Sequence, residues 1–163
     1  MRKEIYEKLT ALLTHLYRTD EGTVELVDVA AIEADGGFLP ESYSRIINHV
    51  DLWNRNVEFI EQETAWERPA VFIEFAPIRW RTISEGEEYR TDGRVLLHIV
   101  TDWTDTAGGV EDLDLSETIH AAVAGLYGDT FSGFDLAETH TNHDHEEIVE
   151  SIDIYSYDGF RRL

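Results

Sequence analysis

PAVFIEF, Pro69 to Phe75, decides the fold. It is a continuous β-prone run opened by a proline, which suits a central strand, buried on both faces, whose first residue needs no N–H. Downstream, RVLLHIVT (Arg94 to Thr101) has the same texture, and between the two lies the polar, Gly-containing SEGEEYRTDG. That spacing predicts a hairpin whose long exposed arm runs from about Arg79 to Gly93. Upstream, IINHVDLW (Ile46 to Trp53) alternates apolar and polar positions until Asn54-Arg55-Asn56 stops it, another strand pattern. Val57 to Glu63 fits a short helix or a loop.

The chain ends give the second layer. Ile5, Leu9, Leu12, Leu13 and Leu16 form one stripe, so Arg2 to about Tyr17 reads as an amphipathic helix. A short apolar piece, Val24 to Val29, and a loop at Glu33 to Gly37 follow it. A second helix is expected from a cap at Asp114 or Ser116 to about Tyr127, ended by Gly128, with Leu115, Ile119, Ala122, Val123 and Leu126 on its buried side. Trp103 to Gly109 reads as a loop, and Phe134 to Thr141 and Glu147 to Tyr157 as a last pair of strands. The expectation is one α+β domain: a mostly antiparallel sheet of about four to five strands, two helices on one face, and a projecting arm. Within it, 1–45 is an N-terminal helix and extension, 46–157 the core, and 158–163 a C-terminal tail.

At 163 residues, 42% of them hydrophobic, the chain suits one domain with a real core. No apolar run approaches the ~18 residues of a membrane span, and the N-terminus lacks a signal-peptide core, so a soluble protein not exported by that route is expected. Without cysteine there is no disulfide framework, thiol nucleophile or thiolate zinc site. The net charge is −21, and between Val95 and Phe160 fifteen Asp or Glu occur without one Lys or Arg. Such an acidic body repels nucleic-acid phosphate and anionic lipid, which argues against groove binding and membrane adsorption. The same excess of acid also fits a protein that only needs solubility.

The stretch ETHTNHDHEE, Glu138 to Glu147, has two readings. His143 and His145, with Glu147 continuing their face, are a ligand set for Zn²⁺ or Fe²⁺. Asn, His and Asp between two strand patterns are equally the residues of a hairpin turn, and that reading is favoured. His98 lies inside a strand pattern and reads as a half-buried structural residue. No phosphate-binding glycine loop, H-E-x-x-H or nucleophile motif is present, and the only lysines are Lys3 and Lys8. No enzyme and no cofactor are expected. Trp53, Trp66, Trp80 and Trp103, with Arg55, Arg79, Arg81 and Tyr89, sit at element ends, where such residues either anchor interfaces or pad the rim of a core.

The run HVDLWNRNVEFIEQETAWERPAVFIEFAPIRW (His49 to Trp80), followed by DGRVLLHIVTDW, LSETIHAAVAGL and ETHTNHDHEEIVESIDIYSY, resembles the tail-completion or tail-terminator proteins of long-tailed bacteriophages and prophages, in the form seen in Bacteroidetes-like phage genomes. The likeness is one of element order and texture, covers about Ile46 to Tyr157, and extends to other neck and head-completion rings. It implies a non-enzymatic virion subunit, assembled in the host cytoplasm, that forms a ring, usually a hexamer, between the tail tube and the neck connector. DNA would pass through the ring without specific binding. On that reading Trp53, Arg55, Trp66, Arg79, Trp80, Arg81, Tyr89 and Trp103 are candidates for the subunit seams. Glu138, Asp144, Glu146, Glu147 and Glu150 are candidates for an acidic lumen. From other classes, a His/carboxylate metalloprotein and an acidic DNA-mimic inhibitor are the alternatives.

Overall fold

The structure, a computed structural model, describes residues 1–54, 66–103, 110–142, 144 and 147–162. Its elements are α1 (Arg2–Thr14), β1 (Leu16–Arg18), β2 (Val24–Leu26), α2 (Val29–Ala34), β3 (Ser44–Arg45), β4 (His49–Leu52), β5 (Ala70–Phe75), β6 (Arg81–Ser84), β7 (Glu88–Asp102), α3 (Val110–Val123), β8 (Phe131–Asn142) and β9 (Ile148–Arg162). The class is α+β as expected, but the main sheet has six strands, more than the four to five read from the sequence. Its order is β4-β5-β7-β9-β8, with β6 added to the far end of β7, and β1, β2 and β3 form a separate small sheet. All pairings are antiparallel except β4 with β5.

PAVFIEF does form an interior strand, β5, with Ala70 to Ile73 almost wholly buried. One side of the sheet carries Val71, Ile73, Val95, Leu97, Ile99, Tyr155 and Tyr157. Ile5, Leu9 and Leu13 of α1 and Leu115, Ile119 and Val123 of α3 pack against them, each set spaced four residues apart so that one helix stripe faces the sheet. Each side chain buried in this way contributes about 1.5–3 kcal/mol. The first helix is therefore part of the core, not an extension to it. Glu4 ties it further: its carboxylate accepts from the Asp129 amide (2.6 Å), the Thr130 amide (3.1 Å) and the Thr130 hydroxyl.

Several boundaries depart from the sequence reading for identifiable reasons. The helix stops at Thr14 because Leu16 and Tyr17 take backbone partners in β2 and β3, an interaction to which the helical stripe is blind. Residues expected to lead into a loop form α2, capped by Asp28, whose side chain accepts from the Ala31 amide at 3.1 Å. At α3, Gly125 with φ +72° ends the helix three residues before Gly128. The segment 158–162, expected as a tail, continues β9, which pairs residue for residue with β7 from Asp102↔Ile148 to Glu88↔Arg162. Val57 to Glu63 and the loop at 104–109 lie outside the described residues.

Candidate functional site

The arm exists as a hairpin, β6 and the start of β7, turned at Glu85-Gly86, where Gly86 takes φ +86°. It is not a free ribbon. The end of β9 backs it, with Tyr89 opposite Arg161 and Glu88 opposite Arg162, so the arm is three-stranded. Arg79, Trp80 and all of β6 are exposed, and Tyr89 is half-buried. Arg81 pairs with Asp92 at 2.8 Å, and Thr91 donates to the Arg79 carbonyl at 2.6 Å. This pairing gathers Arg79, Arg81, Arg90, Arg161 and Arg162 at one end of a protein of net charge −21. At the arm's base, a cleft of about 570 Å³ is lined by Phe75, Trp80, Phe160, Arg2 and Arg161 among others, with no carboxylate among the described residues of its wall.

The other seam candidates divide. Trp103 is about half exposed. Trp53 and Trp66 instead pack on the sheet face away from the helices, beside Ala70, Phe72, Val100 and Ile148. Trp66 meets Phe72 edge-on at 5.0 Å, and Trp53 lies flat on His98 at 3.8 Å with an interplanar angle of 2°. These two rings, partly buried, pad the rim of a second small core, one of the two roles their place at element ends allows. Arg55 lies outside the described residues.

Under Trp53 the structure builds a cluster that sequence reasoning missed. His98, on β7, stands between two carboxylates: Nε2 meets Glu74 of β5 at 2.6 Å, and Nδ1 meets Glu150 of β9 at 3.2 Å. Asn142 of β8 donates to the other oxygen of Glu150 at 2.9 Å. His98 and Glu150 are 4% and 3% exposed, so the cluster is shut off from bulk water on the β9 side. Both nitrogens are occupied, and the ring acts here as a clamp across four neighbouring strands. Glu150, expected on an open acidic lumen, is instead a buried partner of His98, because its place in β9 points it into this face. A signal was available: Glu74 is the one charge inside PAVFIEF.

A second buried carboxylate, Asp153, lies on the helix side. It accepts from Ser116 of α3 and Thr139 of β8, both at 2.8 Å. Its charge adds to burial in pushing the neighbouring Tyr155 hydroxyl above its ordinary pKa.

The remaining acidic candidates are on the surface. Glu138 is exposed and pairs with Arg94 at 3.0 Å. Hydrogen bonds from His140 and then Arg94 hold its carboxyl below the ordinary value. Asp144 and Glu147 are exposed, and Glu146 lies outside the described residues. His143 and His145 also lie outside them, and among the described residues no three His, Asp or Glu side chains are grouped to hold a metal ion. No described helix is long and apolar enough to cross a membrane. The chain matches no protein-family model and no curated protein.

Proposed function

We propose that this chain is a structural virion protein, a ring-forming subunit of the tail-terminator or tail-completion type. It caps the tail tube and joins it to the head–neck connector around the DNA channel, in the virion after assembly in the host cytoplasm. The observation that supports this reading is the unlike charge of two parts of one subunit. The arm end sets Arg79, Arg81, Arg90, Arg161 and Arg162 among Glu85, Glu87, Glu88 and Asp92, close to charge balance, while the chain from Val95 to Phe160 has fifteen acids and no Lys or Arg. A closed ring of identical subunits joined head to tail requires two different, complementary patches on each copy, and this segregation supplies them. Glu138, Asp144 and Glu147 leave an acidic surface past which DNA phosphate slides without sticking.

The test is assembly in the presence of the structure the ring would cap. Mixed with its tail-tube protein, the chain is expected to form closed rings, most simply hexamers, on tube ends, seen by electron microscopy and mass photometry. A chain that stays monomeric at high micromolar concentration, with tube and neck proteins present, refutes the reading. Rings that form on neck proteins but not on tubes assign it to a neck or head-completion ring.

A further inference from the structure

We infer that β6 of one copy adds to the bare edge of β8 in the next, antiparallel, so that the main sheet continues across the subunit seam. This rests on the ring reading above and names its contact.

Among the described residues, β8 pairs only with β9, β6 only with β7 and β4 only with β5, so the sheet has open edges at β8 on one side and at β6 and β4 on the other. Asp135 to Thr141 of β8 and all four residues of β6 are exposed. Open edges invite another strand, and proteins that must stay monomeric blunt them. The first half of β8 is blunted by irregularities between Ser132 and Asp135 and between Leu136 and Glu138. From Glu138 to Asn142 the pairing is regular, five residues against the four that β6 presents.

Direction, face and charge agree with this pairing. Because β6, β7, β9 and β8 alternate in direction, a neighbour placed by a rotation that keeps strand direction sets its β6 antiparallel to β8. Arg81 sits opposite Arg90 and so shares the face of Leu96; Glu138, through Ile154, shares it too. Thr82 falls on the other face with Thr139 and Thr141. From Arg79 to Ser84 there are two arginines and no acid, whereas β8 carries Asp135 and Glu138 and no Lys or Arg. In its own subunit Arg81 already pairs with Asp92, and Glu138 with Arg94 and His140. In the register that sets Thr82 opposite Thr139, Arg81 falls opposite His140 and diagonal to Glu138, so a threonine pair on one face accompanies a diagonal contact of opposite charge on the other, both favourable cross-strand pairs.

The chain has no cysteine, so engineered ones report cleanly. Thr82→Cys protein is mixed with Thr139→Cys or Thr141→Cys protein under oxidation, with tube protein present; a disulfide needs Cα atoms about 4.4–6.8 Å apart. Disulfide-linked heterodimers are expected from at least one mixture. The corresponding double variant is expected to give a covalent ladder that ends at the ring number, and Thr82→Cys with Glu41→Cys no product. Rings without these disulfides overturn the strand addition and leave the ring reading standing. Absence of any oligomer with tube protein and again with neck proteins overturns both.

Discussion

Replacing Glu150 by Ala tests whether the His98 cluster is the clamp that its geometry describes. Glu150 is 3% exposed, and its loss takes the carboxylate from His98 Nδ1 and from the Asn142 amide at once. Breaking a buried pair by removing one partner costs about 3–5 kcal/mol, because the remaining polar group stays desolvated. For a domain of this size each kcal/mol lowers Tm by roughly 2–4 °C, so a drop of roughly 10 °C is expected. Glu74→Ala removes the shorter contact from His98, but Glu74 has 37% of its side chain exposed and water can take its place. Its loss is expected to cost about 1 kcal/mol or less. The double change of His98 and Glu150 to Leu removes the need for pairing and should recover most of the loss. Urea unfolding followed by tryptophan fluorescence is the assay, with Trp53 stacked on His98 as a local reporter. If Glu150→Ala costs under 1 kcal/mol, or no more than Glu74→Ala, the clamp reasoning is refuted.

Two further outcomes follow from the packing. At Glu4, burial alone raises the carboxyl's pKa, but hydrogen bonds from Thr130 and the Asp129 amide outweigh it and hold the group below its ordinary 4.5. A lowered folded value means stabilisation that is present above pH 4.5 and is lost as pH falls through the folded pKa. The Tm gap between wild type and Glu4→Gln should be constant near neutrality and close below pH 4.5 in a pH series of thermal melts; a gap unchanged at pH 3 contradicts this. At Gly93, opposite Tyr157 in the ladder, a Cβ would fall inside the Tyr157 ring. Gly93→Ala should therefore destabilise by about 1–3 kcal/mol in chemical unfolding, and an unchanged midpoint would show that the ring moves aside freely.

Much of the site was legible only in parts. The arm, its arginines and the exposed Trp80 follow from local polarity, and His98 was placed in a strand by its apolar neighbours. That Arg161 and Arg162 join the arm was hidden by 66 intervening residues without Lys or Arg, Arg94 being the last before them. Trp53 and Trp66 end elements, a position that fits a seam and a core rim alike; the structure packs Trp53 flat on His98 and Trp66 edge-on to Phe72. Glu150 looked like one more surface acid in an acidic stretch, since nothing local separates a carboxylate that will meet a histidine from one that will meet water.

What the chain determined by itself is what repeats within a few residues: the four-residue stripes of α1 and α3, the alternation of Ile46 to Trp53 and of β9, and the strand-forming run at Pro69 to Phe75. These fix which side chains face the core, because each period is a property of local backbone geometry. Tertiary structure decided which strand lies beside which, and in what register. Sliding a strand by two residues keeps every side chain on its face, so alternation cannot choose among such registers. The ladder from Asp102↔Ile148 to Glu88↔Arg162 makes that choice through the packing of Val95 on Tyr155 and Gly93 beneath Tyr157. Once it is made, His98 has its two carboxylates and the arm has its arginines.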